Sequence, residues 1–371
     1  MLSDIYDAKN VRMKSMKSKV TNMAILALTA ILAVSLLIPI VDCEESSATI
    51  TVTDSDGKMI SLDEPAGKVV TLGLGYTITV IDLGFKEKII GYDSGSTYAS
   101  SGNKKVEGME VENLGSAYAN PTNIENIRAH MAQMVDDLRF DKDKDLIIIN
   151  NWSGTVNSGG TRDVLVGDGY KVACFGANTY DEIVSMISSI SQLLGGDSNN
   201  VVERMTQAKT EVQDMAASKS GEVAPKAMYV SEFNGNLRIY NSGITVSMIE
   251  LAGGVNIGDN GEAYAYRNED ASYIIQKEPN VVFLDGNYSE TAEYFQEEVL
   301  NTRSIKVVKL EKDWNSTTPQ VADGLLTISE SLYNSPVSDE DWIGNNAILI
   351  FVGGIAAVIA VGLALFLIRR H

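Results

Sequence analysis

Short apolar runs separated by helical patterns characterise the middle of the chain. Each run holds three to six residues, mostly Val, Ile, Leu or Phe. A continuous run of this kind is typical of a strand buried on both faces of a parallel sheet, and helical patterns between such strands are typical of α/β units. We therefore predict parallel strands at residues 69–74, 89–91, 146–149, 172–174, 227–230, 281–284 and 305–308.

Residues 48–62, ATITVTDSDGKMISL, predict a β-hairpin. Apolar residues alternate with threonines up to Val52, and the apolar positions resume at Met59 after a polar turn. The turn sequence DSDG at residues 54–57 is like the start of a calcium loop, but the later ligands of such a loop are missing. The segment is therefore interpreted as an ordinary turn.

The longest helical pattern covers residues 180–217 and is interrupted by Gly-Gly-Asp at residues 195–197. Before the interruption, Ile183, Ile187 and Ile190 mark one apolar face. Predicted strands lie on both sides of this pattern. The simplest architecture is an α/β fold in which two lobes with mainly parallel sheets are bridged by one long rigid helix, with a ligand cleft between the lobes.

Two uncharged apolar segments lie near the ends of the chain, at residues 23–41 and 347–368. A helix needs about 20 apolar residues to cross a bilayer, so the second segment is long enough and the first is nearly so. Basic residues precede the first segment, and Arg369 and Arg370 follow the second. Because positively charged flanks stay in the cytoplasm, both ends are predicted inside and the residues between them outside the cell.

For the first apolar segment, a cleaved signal peptide is favoured over a permanent signal anchor, because Pro39 and a polar stretch follow directly. The basic region is long, which leaves Met13 and Met16 as alternative starts. Cys43 raises the alternative of a lipoprotein, although Ile-Val-Asp before it differs from the small residues of a lipobox. The predicted location is the cell membrane, with a C-terminal span, a second N-terminal span if the anchor is retained, and extracellular lobes.

Charge and the scarcity of two residue types exclude several functions. The chain carries 30 Lys+Arg against 49 Asp+Glu, a net charge of −19, which would repel a phosphate backbone and makes nucleic acid an unlikely partner. Two cysteines and two histidines exclude a disulfide framework, a four-thiolate zinc site and a multi-histidine metal site. No resident metal or cofactor is predicted.

Enzymatic activity is not predicted either. The sequence has no Gly-x-Ser-x-Gly motif, and His130 would be the one histidine available outside the membrane. Two alternatives stay open. One is a membrane-anchored surface hydrolase that uses a pair of carboxylates, and the other is a surface adhesion or interaction module that binds a protein and no small ligand.

Several segments, taken in order, resemble the substrate-binding proteins of ABC importers for iron chelates, heme and cobalamin. They are ITVTDSDGKMISLDEPAGKVVTLG, LGFKEKIIGYD, DLIIIN, TYDEIVSMISSISQLLG, IELAGGVNIGD and EPNVVFLDG, which lie between residues 50 and 332. The resemblance implies a periplasmic-binding-protein fold. It also implies capture of a metal chelate, namely cobalamin or another corrinoid, a ferric siderophore or heme, and its delivery by a monomer to an ABC permease and its ATPase.

This interpretation divides the chain into seven parts. They are a basic region with the signal peptide or signal anchor at 1–43, an N-terminal ligand-binding lobe at 48–178, a helical connection that includes the interlobe helix at 179–220, a C-terminal ligand-binding lobe at 221–333, a stalk at 334–346, a transmembrane anchor at 347–368 and a cytoplasmic tail at 369–371.

The loops after the apolar runs are the candidate ligand site, because ligands of α/β lobes lie beyond the carboxyl ends of the strands. These loops are rich in aromatic and amide side chains, which suit a planar macrocycle or a chelate with aromatic arms. An anionic ferric chelate needs Arg or Lys, and only Arg162, Arg238 and Arg267 are plausible candidates outside helices. An uncharged or weakly charged ligand such as a corrinoid is therefore favoured over a strongly anionic siderophore. The predicted ligand-binding residues are Tyr76, Tyr92, Tyr98, Asn151, Trp152, Phe233, Tyr264, Tyr266, Arg267, Asn287, Tyr288 and Trp314.

The resemblance also implies docking to the permease through one acidic side chain on each lobe. In the second lobe the usual glutamate position, seven residues before Pro279, is Ser272, so neighbouring acids are considered instead. The docking candidates are Glu125, Asp136 and Asp137 in the first lobe, and Glu269 and Asp270 in the second.

Overall fold

The computed structural model describes residues 49–117, 120–151, 155, 159–258, 265–302 and 304–333. Both apolar end segments, the stalk and Cys43 lie outside these residues, so their roles stay predictions. Among the described residues, the helices are all too short or too polar to cross a bilayer.

The predicted hairpin is confirmed. Strands β1 (Ile50–Thr53) and β2 (Met59–Leu62) pair antiparallel, and the carboxylate of Asp54 accepts hydrogen bonds from the backbone N–H groups of Asp56, at 3.0 Å, and Lys58, at 2.8 Å. An aspartate that binds the backbone two residues ahead stabilises a turn. The DSDG segment therefore serves as a turn.

The first lobe contains a five-stranded parallel sheet in the order β5-β4-β3-β6-β7. Four of these strands were predicted from apolar runs, whereas β5 has only two residues and no such run. The elements in chain order are β3 (Val69–Leu72), α1 (Leu74–Asp82), β4 (Ile89–Tyr92), α2 (Tyr98–Ser101), β5 (Glu112–Asn113), α3 (Pro121–Asp136), β6 (Leu146–Asn150), α4 (Thr161–Gly167) and β7 (Val172–Phe175).

The connection between the lobes consists of two helices, α5 (Tyr180–Leu194) and α6 (Asn199–Ser218), rather than one. Thr179 and Glu182 form a reciprocal capping box at the start of α5, and Gly195 ends it with a left-handed φ of 78°. Helix α5 packs on β1, and α6 packs on the last helix of the second lobe. The break predicted at residues 195–197 is thus the point where the chain turns.

The second lobe contains a six-stranded sheet in the order β11-β9-β8-β12-β13, with β10 also paired to β8. Strand β9 is antiparallel to its neighbours, and the strands with apolar runs are parallel. The elements are β8 (Lys226–Phe233), β9 (Asn236–Tyr240), α7 (Ile244–Leu251), β10 (Val255–Asn256), β11 (Tyr266–Glu269), α8 (Ala271–Lys277), β12 (Val281–Leu284), α9 (Ala292–Tyr294), β13 (Lys306–Lys309) and α10 (Val321–Tyr333).

One hydrophobic core continues from the first lobe into the second. It contains Ile148 from the first sheet, Ile187 and Met205 from the connecting helices, and Tyr229 and Phe283 from the second sheet. Two smaller cores cover the outer faces of the two sheets. Because the lobes share buried side chains, any separation of the lobes would expose apolar surface, at about 25 cal/mol per Å².

Candidate ligand-binding cleft

A cavity of about 1010 Å³ lies between the carboxyl ends of strands from both lobes. From the first lobe it is lined by residues of α1, by Gly95 and by residues 100–105, which follow β4. From the second lobe it is lined by Gly286 and Asn287, which follow β12, and by residues 309–313, 315 and 316, which lie at the end of β13 and just after it. The cavity therefore occupies the edge of the sheets where the parallel strands predict a ligand.

The lobes approach closely beside this cavity. A Cβ atom added to Gly75 would lie 2.4 Å from Oγ1 of Thr317, so any larger residue at position 75 would clash with the second lobe. The hydroxyl of Thr79 donates a hydrogen bond to the carbonyl of Thr317 at 3.0 Å. Helix α1 is thus packed directly against the segment that precedes α10.

Side-chain hydrogen bonds also join the two lobes at the cavity. Nδ2 of Asn103 donates to Oδ2 of Asp313 at 2.9 Å, and Nε2 of Gln320 donates to Oδ2 of Asp82 at 2.6 Å. Asp82 also pairs with Nζ of Lys105 at 2.6 Å. These hydrogen bonds hold the two lobes together beside the cavity.

Four lysines line the cavity, against two acids, Glu311 and Asp313. Lys105 is paired with Asp82, and Nζ of Lys309 donates to two backbone carbonyls. Lys104 from the first lobe and Lys312 from the second lobe are exposed, and neither has a hydrogen-bond or ion-pair partner for its ammonium group within the described part of the chain. The cavity therefore offers free positive charge from both sides in a chain of net charge −19.

A relay of hydrogen bonds orients the polar groups of the second lobe. The Tyr229 hydroxyl donates to Asp285, whose other oxygen accepts the backbone N–H of Asn287 at 2.8 Å. The pKa of the Tyr229 phenol is raised, mainly by burial and to a smaller extent by the neighbouring Asp285, so the phenol keeps its proton. Nδ2 of Asn315 donates to the Tyr229 oxygen at 2.6 Å, and Oδ1 of Asn315 accepts from Thr245 at 2.8 Å.

This relay has a chemical consequence for the cavity wall. A carboxylate accepts and does not donate, so Tyr229 must donate to Asp285 and can only accept from Asn315. The Oδ1 atom of Asn315 is already used by Thr245. The hydrogen left on Nδ2 makes Asn315 a donor toward a ligand, which matches the positive charge of the lysines.

A second buried network supports the first-lobe wall. The Ser96 hydroxyl donates to the carboxylate of Asp93, and Thr77 links Ser96 to Thr71 through hydroxyl contacts of 3.2 and 2.7 Å. Burial raises the pKa of Asp93, whereas the hydrogen bonds from Ser96 and the backbone act against that rise. The network anchors the loop after β4 that carries Gly95 into the cavity wall.

Comparison with solved structures identifies the fold. Helicobacter pylori CeuE, in a nickel–histidine complex, superposes with a TM-score of 0.59 at 14% identity, covering 77% of this chain and 88% of CeuE. The heme-binding protein HmuT gives 0.54 at 16% identity over 80% and 94% of the two chains. The periplasmic heme-binding protein RhuT from Roseiflexus sp. RS-1, in its apo form, gives 0.54 at 14% identity over 73% and 100%.

The chain has the fold of these binding proteins. The resemblance found in the sequence is thereby confirmed, and the two-lobe α/β architecture with it. No protein-family model and no curated protein matches the sequence.

Several predicted ligand residues lie in the core instead of the cavity. Tyr76, Tyr92 and Tyr288 are only 4%, 7% and 8% exposed. The Tyr76 hydroxyl donates to the carbonyl of Phe175 at 2.5 Å, which satisfies its polar end inside the first lobe. Trp314 lies between the cavity-lining residues Asp313 and Asn315, but it packs against the shared core. The sequence could not separate these aromatic residues from exposed ones, because both kinds follow strands.

Other predicted residues are more accessible. Asn287 lines the cavity, and Tyr98 lies on α2 beside cavity-lining residues. Phe233, at the carboxyl end of β8, and Tyr266, at the start of β11, are 53% and 38% exposed. Asn151 follows β6 and lies against Gly176. Arg267 is near Glu269 and stacks on Tyr273. Two further candidates, Trp152 and Tyr264, lie outside the described residues.

The cavity residues that sequence analysis missed are lysines and small polar residues, above all Lys104, Lys312, Asn103 and Asn315. The candidate cations predicted from the sequence were three arginines and no lysine, and one of them, Arg162, is already bound by acids of the hairpin turn. The sequence did contain one signal for Lys312 and Asn315, because both lie in the segment that directly follows the predicted strand at residues 305–308.

The five docking candidates fall on different sides of the lobes. Helix α3 connects parallel strands β5 and β6, so it starts at their carboxyl ends and finishes at their amino ends. Glu125, in the first turns of α3, is thus on the cleft side, whereas Asp136 and Asp137 are at the far end. Strand β11 runs in the same direction as β8, so Glu269 at its end and Asp270 just after it are on the cleft side too.

Metal-binding groups are scarce near the cleft. His130 lies on α3, where Nδ1 contacts Oε1 of Glu112 at 2.8 Å, and it does not line the cavity. Within the described residues, no three His, Cys, Asp or Glu side chains are grouped to hold a bare metal ion.

Proposed function

We propose that the protein is an extracellular solute-binding protein that captures an anionic iron chelate for an ABC importer. The observation that carries this proposal is the cavity between the two lobes, which has unpaired Lys104 and Lys312 on opposite walls. Neighbouring structures with this fold are named as iron-binding or heme-binding proteins, which agrees with a chelate as ligand. The arrangement supports binding rather than catalysis.

The composition of the wall supports one class of chelate. The cavity wall within the described residues is formed mainly by lysine, asparagine, serine and glycine, with Glu311 and Asp313 as its acids, Leu74, Ile78 and Leu310 as its apolar part and no aromatic side chain. Hydrogen-bond donors and ammonium groups suit many ligand oxygens, whereas a flat macrocycle needs broad apolar walls. We therefore favour a ferric carboxylate or catecholate complex over heme or a corrinoid.

A titration of the full-length protein in detergent tests this function, with tryptophan fluorescence as the signal. Trp314 belongs to the turn that lines the cavity and reports on ligand entry. We expect ferric citrate and a ferric catecholate to bind at least tenfold more tightly than a cationic ferric trihydroxamate at low salt, because lysines attract anions. The difference should shrink as salt is added. Binding of cobalamin or heme alone, or of no chelate, would contradict the proposal.

Delivery to a permease is the second part of the proposed function. Glu125 and the pair Glu269 and Asp270, on the cleft sides of the two lobes, are the docking acids we favour over Asp136 and Asp137. The C-terminal apolar segment would keep the binding protein near its permease and raise its effective concentration.

Charge reversal tests these docking acids. Glu125→Lys combined with Glu269→Lys should remove most of the stimulation of the transporter ATPase and leave chelate affinity unchanged, because neither residue lines the cavity. Asp136→Lys with Asp137→Lys is the matched control and should stimulate normally. Equal stimulation by both double variants would contradict this assignment.

A further inference from the structure

Arg238 occupies an unusual position in the second lobe. It lies within the antiparallel strand β9, near the cleft end of the sheet. Its guanidinium carbon is 3.9 Å from the centre of the Phe233 ring and 4.4 Å from the centre of the Tyr266 ring. Both rings are exposed. The guanidinium is therefore held between two aromatic side chains at the protein surface.

Arg238 is also the exception among the six arginines in the part of the chain that the structure describes. Arg128, Arg139, Arg162 and Arg267 each contact a carboxylate, and Arg204 donates to the carbonyl of Pro319. Arg238 has no hydrogen-bond or ion-pair partner among the described residues, and its Nε atom is buried without one. A buried donor left unsatisfied destabilises the fold, and the cost is greater when the group is charged.

The strand geometry explains why no acid of the sheet neutralises Arg238. Side chains alternate between the faces of a strand, so Glu232 and Glu269 lie on the opposite face. The residues directly across from Arg238 are Ser231 on β8 and Asn268 on β11, which are polar and uncharged. The face thus presents hydrogen-bond donors beside an unpaired cation.

We propose that Arg238, Phe233, Tyr266 and Asn268 form a binding site for a planar oxyanion, namely a carboxylate attached to an aromatic or conjugated group. The guanidinium fork binds a carboxylate through two parallel hydrogen bonds, which a lysine cannot reproduce. The two rings hold the fork in place and offer faces on which a conjugated group can stack. The amide of Asn268 adds a donor at the edge.

A ladder of aromatic rings connects this site to the cavity. The Tyr266 ring is 5.5 Å from Tyr240, and Tyr240 is 4.8 Å from Tyr229, whose hydroxyl contacts the cavity residue Asn315. A chelate in the cavity with a carboxylated aromatic arm is one source of the oxyanion, and this part rests on the proposed function. A free aromatic carboxylate is the other source.

The free carboxylate is tested first, by calorimetric titration of the full-length protein with benzoate. We expect Arg238→Gln to weaken benzoate binding at least tenfold and Arg238→Lys to weaken it about threefold, because lysine keeps the charge and loses the fork. Arg128→Gln is the matched control and should bind normally, since Arg128 pairs with Asp168 elsewhere. Equal binding by wild type and Arg238→Gln, or no binding by wild type, would overturn the site.

Chemical labelling separates a binding role from simple packing. Phenylglyoxal modifies accessible arginines, and mass spectrometry measures the modified fraction at each one. Benzoate should protect Arg238 and leave Arg128 as reactive as before. If Arg238→Gln lowers only the melting temperature and benzoate gives no protection, Arg238 serves packing and the proposal is wrong.

The chelate is tested with the ferric complexes of 2,3-dihydroxybenzoate and of catechol, which differ in the carboxylate. Wild type should prefer the carboxylated complex about tenfold. Arg238→Gln should remove this preference, whereas Lys104→Gln should weaken both complexes. If wild type binds neither complex, the proposed chelate function fails while the benzoate result still decides the Arg238 site. If the preference survives in Arg238→Gln, the chelate is excluded as the source of the oxyanion.

Discussion

Replacing Asp54 by alanine is expected to lower the free energy of unfolding by about 3–5 kcal/mol. Oδ2 of Asp54 accepts a hydrogen bond from Nη2 of Arg162 at 2.9 Å, and the two side chains are 0% and 6% exposed. Removal of the carboxylate leaves the guanidinium buried with only Asp56 as a partner. An uncompensated buried charge is costly, because it has lost its water and its counter-ion.

Asp54 also satisfies backbone groups that would lose their partner. It accepts from the N–H of Asp56 and Lys58 in the hairpin turn and from the N–H of Cys174 in β7, at 3.1 Å. The single side chain thus ties the hairpin to the first sheet. Asp54→Asn, which keeps an acceptor and loses the charge, should give an intermediate loss.

Urea denaturation followed by circular dichroism measures this effect. Asp56→Ala is the matched control, because Asp56 contacts the same arginine but is 35% exposed, and it should cost about 1 kcal/mol or less. Equal losses in Asp54→Ala and Asp56→Ala would show that burial of the Asp54 carboxylate is not the cause.

The double substitution Lys104→Gln and Lys312→Gln is expected to weaken binding of an anionic ferric chelate by about 100-fold. A hydrogen bond to a charged group contributes about 1.5–3 kcal/mol, and each 1.4 kcal/mol changes affinity tenfold. Both ammonium groups are exposed, so the lower end of that range applies to each. The two lysines act from opposite lobes, so their loss also removes the attraction that holds both lobes to the ligand.

Fluorescence titration with ferric citrate measures this loss, and the salt dependence of the affinity should flatten in the double variant. Lys58→Gln with Lys277→Gln removes the same charge from exposed positions outside the cavity and serves as the control. The free energy of unfolding of the Lys104→Gln and Lys312→Gln double variant should equal that of wild type. If the control loses as much affinity as the cavity variant, net charge rather than the cavity governs binding.

Strands with a continuous apolar run were predictable from sequence, whereas those without one were not. Strands β6 and β12 consist of buried Ile, Val, Leu and Phe, with Asn150 as the one polar member, because both faces of a parallel sheet are covered. Strands β9 and β11 are partly exposed and carry charged residues, Arg238 and Arg267 for example. Their pairing depends on the neighbouring strands and leaves no local signal.

The location of the cleft was predictable as well, but its chemistry was not. Carboxyl ends of parallel strands converge whatever side chains follow them. Aromatic residues were favoured as ligand contacts, yet Tyr76 and Tyr288 are buried, and the cavity charge comes from Lys104 and Lys312. Tyrosine serves equally well in a core and at a surface, so its position along a loop does not decide which role it takes.

By itself, the sequence determined the hairpin, the two α/β lobes, the break at residues 195–197 and the edge where the cavity opens, because each follows from periodicity and turn residues over a few positions. Only the tertiary structure decided which side chains face that cavity. Lys104 and Lys312 are far apart along the chain and meet through contacts between lobes. Arg238 has no acid as a partner because strand register points the nearest glutamates to the other face.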